Sequence, residues 1–146
     1  MNRESHSITE TAAIAQEIFN TTATPKKKGA TVLALFGDLG SGKTTFVQQL
    51  GKLLGISQTM QSPTFVIMKS YDISYEHFRR LIHIDMYRLE RPEELERLGW
   101  EEIVKDQKNL IAIEWAERVE KLLPGDCIKI QFKFIEESTR EISYGL

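Results

Sequence analysis

A single cysteine, Cys127, stands in a chain of 146 residues. One thiol excludes an internal disulfide and leaves too few thiolates for a zinc or iron–sulfur cage, so Cys127 is expected to pack as a small apolar side chain. No apolar run approaches the roughly 18 residues that a membrane span requires, and Met1 to Ile14 lacks the basic-then-apolar pattern of an export signal. The expectation is a cytoplasmic protein with no membrane partner. Charge of neither sign prevails, since 19 basic residues against 21 acidic ones give a formal net charge of -2. Such a chain has no global positive field to draw it onto nucleic acid, and any RNA contact would be local or made through another protein. Repeats and low-complexity segments are absent as well. With 41% hydrophobic and 27% charged residues, the chain reads as one compact domain, 1–146, around a single core.

The elements follow from periodicity. Ser7 and Glu10 form a Ser-x-x-Glu capping box, after which Ala12, Ala15, Ile18 and Phe19 recur at helical spacing to about Asn20. Thr21 to Gly29, with Pro25 and three successive lysines, reads as a solvated connection to a strand over Thr31 to Phe36. A glycine-rich run comes next, then a helix marked by Phe46, Val47, Leu50, Leu53 and Leu54 and stopped by Gly55. Phe65 to Tyr71 and Leu81 to Tyr87 have strand character, and period 2 puts His83 and Asp85 on one face. Pro92 opens a short acidic helix that Gly99 ends, and Trp100 to Asp106 adds another turn or two. Leu110 to Trp115 is an apolar run that breaks at Glu114. Ile128, Ile130, Phe132 and Phe134 alternate with polar residues, a half-buried strand with a partner in Arg140 to Tyr144. Interleaved strands and helices followed by a late hairpin predict an α/β sandwich with a mixed parallel and antiparallel sheet.

The run Gly37-Asp38-Leu39-Gly40-Ser41-Gly42-Lys43-Thr44 matches G-x-x-x-x-G-K-[ST] at every fixed position, between an expected strand and an expected helix. The plain alternative is a glycine turn that happens to precede a helix. With glycine near 7% of residues, a chance match in this length is on the order of one in a hundred, before context is counted. Glycines allow backbone N–H groups to wrap phosphates, and the helix N-terminus adds positive potential. Lys43 is then expected at the outer phosphates of ATP or ADP, the Thr44 hydroxyl on Mg²⁺, and Thr45 in the same turn.

Such a loop needs an acid at a neighbouring strand end to complete the Mg²⁺ shell or position the attacking water. Glu114, closing Leu110-Ile111-Ala112-Ile113, and Asp85, following Ile84, both qualify. Ser62-Pro63-Thr64-Phe65 lies where nucleotide switches often occur, and a turn entering a strand explains it equally well. Trp115 and His83, taken alone, read as core residues.

Together Gly37 to Phe46, Ser62-Pro63-Thr64-Phe65, His83-Ile84-Asp85-Met86-Tyr87-Arg88 and Glu114-Trp115 resemble the TsaE family, the bacterial ATPases of tRNA threonylcarbamoyladenosine biosynthesis. The match runs from about Ile8 to Arg140, with Ser41 where the family often has alanine and a longer loop around Lys26 to Lys28. The resemblance implies a P-loop fold with a mixed sheet that binds ATP or ADP with Mg²⁺. It implies feeble hydrolysis until the protein meets the TsaB–TsaD pair, with tRNA reached only through that complex. Residue by residue it implies Lys43 and Thr44 on phosphate and metal, Glu114 in the Mg²⁺ shell, and Asp85 in the hydrolytic step. It further implies Thr64 as a switch near the γ-phosphate, Trp115 beside the site, and Thr11 near the adenine. A small-molecule kinase would need a lid for which this length leaves little room, and a GTPase would need an Asn-Lys-x-Asp segment, which is missing. A non-catalytic nucleotide-dependent interaction module shares almost all of these residues.

Overall fold

The computed structural model describes residues 1–22, 28–58, 60 and 67–145. The middle of the Thr21 to Gly29 connection and the whole of Ser62-Pro63-Thr64-Phe65, Thr64 included, lie outside the described residues.

The first elements are β1 (Asn2–Ser5), α1 (Ile8–Thr22), β2 (Thr31–Phe36) and α2 (Lys43–Leu53). The capping box forms with one change of partner: Ser7 Oγ accepts the Glu10 N–H at 3.1 Å, while the Glu10 carboxylate accepts the N–H of His6 rather than that of Ser7. β3 (Met68–Tyr75) and β4 (Phe78–Asp85) follow, then the short helices α3 (Glu93–Glu96) and α4 (Trp100–Lys105) on either side of Gly99. β5 (Asn109–Glu114), a 3-10 segment (Ala116–Leu122), β6 (Ile128–Glu136) and β7 (Thr139–Gly145) complete the described chain. Among these residues no helix is long and apolar enough to cross a membrane.

The strands form one sheet in the order β1-β7-β6-β2-β5-β4-β3. β6, β2, β5 and β4 run parallel in its centre, and β7, β1 and β3 add antiparallel pairs at the two sides. This is the expected mixed sheet. Helices α1 and α2 cover one face, where Leu33, Leu35, Leu110 and Ala112 meet Ile18, Phe46 and Leu50. The other face packs Val32, Ala34, Ile111 and Ile113 against Leu95, Trp100 and Val119, with Cys127 buried among them. β2 and β5 lack alternation because both of their faces are covered.

Several details differ from the sequence reading, among them the start of β4 at Phe78 rather than Leu81. β3 begins at Met68 and runs on to Tyr75. β4 stops at Asp85, two residues early, because Asp85 Oδ1 accepts the Tyr87 N–H at 3.0 Å and turns the chain. Phe134, expected on the buried face of β6, is 53% exposed, with the Arg140 guanidinium 4.9 Å from its ring centre.

Candidate functional site

β2 hands the chain to α2 through residues 37–42 at the carboxyl edge of the parallel strands, the edge where open α/β sheets present their ligand sites. The loop can wrap only because of its glycines. Gly37 has φ +145°, and a side-chain carbon there would stand 2.5 Å from the Phe132 carbonyl oxygen. Gly42, at φ +104°, turns the loop into α2 with no side chain capping the helix. The N–H groups of the first turn therefore lack intrahelical acceptors and face outward. Gly37→Ala should cost about 1–3 kcal/mol from the backbone dihedral, with the clash added. Urea denaturation checks this, and a loss below about 0.5 kcal/mol would contradict it.

Lys43 folds its side chain back over this loop. Nζ donates to the carbonyls of Gly37 at 2.5 Å and Asp38 at 2.9 Å, reaches Ser41 Oγ at 3.4 Å, and lies 4.2 Å from the Trp115 ring centre. Burial lowers the Lys43 pKa from its ordinary value, against the opposing pull of Glu114 and, more weakly, Glu117, Asp85 and Asp38. Trp115 is set over the ammonium by its left-handed conformation, φ +58°. It also packs on Tyr87 with ring centres 5.1 Å apart. Trp115 is thus half-buried beside the loop, not in the core.

Thr44 Oγ1 donates to Glu114 Oε1 at 2.8 Å. Glu114 ends β5 and is only 2% exposed, and its Oε2 meets His83 Nε2 at 2.5 Å. His83 is fully buried, as expected, but its Nδ1 has no hydrogen-bond partner among the described residues. Asp85 ends β4 directly across from Glu114 in the parallel register. Loop, Lys43, Thr44, Asp85, Glu114 and Trp115 all line one cleft of about 630 Å³. Leu39 stands at its rim, 74% exposed. Thr44 and Glu114 together offer two hard oxygen donors, the kind Mg²⁺ takes when phosphate and water supply the other positions. Among the described residues no cluster of three His, Cys, Asp or Glu forms a closed metal cage.

Thr11 lies away from this group. It is buried at the start of α1, with its Oγ1 2.7 Å from Ser5 Oγ. With Gly42, Thr45 and Arg140 it lines a smaller cavity of about 220 Å³ adjoining the loop. Arg140 lines both cavities and was not singled out in the sequence, where it is one charged residue on an amphipathic strand.

Strand, wrapped loop and helix joined in this way at the carboxyl edge of a parallel sheet place the chain in the P-loop class of α/β proteins. The narrower assignment comes from likeness. Residues 5–142 match the family model for the threonylcarbamoyl adenosine biosynthesis protein TsaE, and the chain belongs to that family. The tRNA threonylcarbamoyladenosine biosynthesis protein TsaE of Bacillus subtilis (strain 168) is 40% identical over 135 residues, 92% of this chain and 78% of its own length. The protein of the same name from Borreliella burgdorferi is 40% identical over 106 residues, 71% of this chain and 74% of its own. The crystal structure of Bacillus subtilis YdiB superposes with a TM-score of 0.73 at 33% identity, covering 99% of this chain and 83% of that one.

Proposed function

We propose that the protein is a Mg²⁺-dependent, weak ATPase that supports a TsaB–TsaD pair in threonylcarbamoyladenosine modification of tRNA. The observation that carries the ATPase reading is the Thr44–Glu114 pair, 2.8 Å apart beside Lys43 at the mouth of the glycine loop. Family membership and the relatives' names support the tRNA modification pathway, and the TsaB–TsaD pair is what the family resemblance implies as partners.

In this reading the loop N–H groups and Lys43 bind the β- and γ-phosphates, and Thr11 borders the cavity that takes the base. Thr44 and Glu114 would hold Mg²⁺, which when bound polarises the phosphate oxygens. Asp85 orients the attacking water and receives its proton as the bond between the γ-phosphorus and the bridging oxygen breaks, leaving ADP and phosphate. In this reading hydrolysis by the isolated chain is slow because, among the described residues, no arginine at the cleft is committed to the transferring phosphate: Arg140 lines the cleft but donates to the carbonyls of Glu136, Glu137 and Thr139. Arg118 donates to the Leu89 carbonyl at 3.2 Å and stands 5.9 Å from the Tyr87 and Trp115 rings, while Arg88 lines the cleft wall.

The test measures ADP and ATP binding with and without Mg²⁺, then phosphate release from the chain alone and with the TsaB–TsaD pair. Mg²⁺-enhanced binding, slow release alone and faster release with the pair are expected. Brisk release that the pair leaves unaltered would reject the partner-dependent reading, and phosphate appearing on a metabolite would replace it with a kinase.

A further inference from the structure

His83 has no part in the chemistry described so far, yet it is fully buried and ends on Glu114. The torsion that turns a glutamate carboxylate is broad and roughly two-fold, so the side chain by itself does not decide which oxygen faces a ligand. Here it is decided from both ends: Oε1 is turned to Thr44 and Oε2 is tied to His83. The two supports differ in kind. Thr44 belongs to the loop–helix junction that must meet the nucleotide, whereas His83 lies in β4, hydrogen-bonded between β3 and β5 with Lys69 and Ala112 as its register partners.

The proton can also be placed. An unprotonated Nε2 would set its lone pair against a carboxylate oxygen at 2.5 Å, so Nε2 carries the hydrogen and donates it. Nδ1, on the far side of the ring, has no hydrogen-bond partner among the described residues, so the ring's polar hold on its surroundings runs through Nε2.

We infer that His83 is a positioning residue: through Nε2–H it holds Glu114 Oε2 and so keeps Oε1 aimed at Thr44, where the cation would sit. This rests on the reading of Thr44 and Glu114 as the Mg²⁺ ligands. Partners that orient a ligating carboxylate commonly matter by ten- to a hundredfold in metal affinity. His83→Met fills a similar volume without a donor, and His83→Gln brings an amide N–H to about the reach of Nε2.

The experiment is calorimetry of ADP with and without Mg²⁺ on the full chain and both variants, alongside their thermal unfolding. In His83→Met the enhancement of ADP affinity by Mg²⁺ should fall about tenfold while metal-free ADP affinity stays within about twofold, and His83→Gln should recover most of the loss. An unchanged enhancement in His83→Met, an equal loss of metal-free affinity, or a glutamine variant as impaired as the methionine one overturns the inference. Should His83→Met not fold, the glutamine variant still decides, together with long-range ¹H–¹⁵N correlation of the wild-type ring without metal. A hydrogen on Nε2 is expected. A ring with no hydrogen on Nε2 overturns the positioning role while leaving the metal reading standing, whereas a wild-type chain indifferent to Mg²⁺ removes both.

Discussion

Asp85→Asn is expected to bind ADP with nearly wild-type affinity, with and without Mg²⁺, and to lose turnover by about 10²- to 10⁴-fold, the range that a positioned general base contributes. The split follows from geometry. Asparagine keeps the Oδ1 that accepts the Tyr87 N–H at 3.0 Å, so the turn ending β4 survives. What is lost is the second carboxylate oxygen and its capacity to take a proton. Glu114→Gln should fail differently: its side chain meets Thr44 and His83, so the Mg²⁺-dependent part of binding goes first. The two acids stand opposite each other at the ends of adjacent strands, which would set both near one phosphate of a bound nucleotide, while Glu114 is the one that meets the Thr44 hydroxyl. Phosphate release in the presence of the TsaB–TsaD pair, with ADP calorimetry beside it, checks the division. Asp85→Asn turning over at the wild-type rate would make that carboxylate a turn-former only, and parallel losses of binding and rate would return it to the binding site.

These roles were legible in the sequence to different depths. The glycine loop was, because Gly37, Gly40, Gly42, Lys43 and Thr44 are adjacent in the chain and need only a strand before and a helix after them. β2 and β5 were, because burial on both faces leaves unbroken apolar runs. β1 was not: Asn2, Arg3 and Glu4 are exposed, and the strand is specified by pairing with β7 at the far end of the chain, with Ser5 anchored on Thr11. The tie between His83 and Glu114 was equally out of reach. Period 2 put His83 beside Asp85 on one face, but the hydrogen bond depends on β4 lying next to β5, a matter of sheet order that no local pattern encodes. Trp115 shows the same limit, since its place over Lys43 is set by a positive φ at a non-glycine residue. The end of β4 was misjudged for a smaller reason: Met86 and Tyr87 continue the alternation, and one Asp85 side-chain hydrogen bond overrides it.

Lys43→Ala should lower ADP and ATP affinity by about one to two orders of magnitude, as removal of a charge-assisted contact of roughly 1.5–3 kcal/mol requires. The ammonium is already held where phosphate would lie, on two loop carbonyls and over the Trp115 ring. Exchanging those neutral acceptors for phosphate oxygens strengthens the interaction. Arginine should not rescue the loss, because a planar fork does not fit the compact setting of Gly37, Asp38 and Ser41 around Nζ. The pH dependence gives an independent check, with a definite sign. Burial lowers the Lys43 pKa in the free protein, and phosphate favours the charged form, so the bound state holds the proton more tightly. Affinity is therefore greatest where Lys43 is charged in the free protein, and it falls as alkaline pH rises through the free-state pKa. Binding in that range should take up protons, visible as a dependence of the calorimetric heat on buffer ionisation. Stability of the free protein has the opposite slope: between the folded and unfolded pKa values the unfolded chain binds more protons at Lys43, so this residue's contribution to stability rises with pH there. Lys43→Ala should abolish both slopes. Unchanged ADP affinity in that variant, or an alkaline loss of affinity that persists in it, would take Lys43 out of the phosphate site.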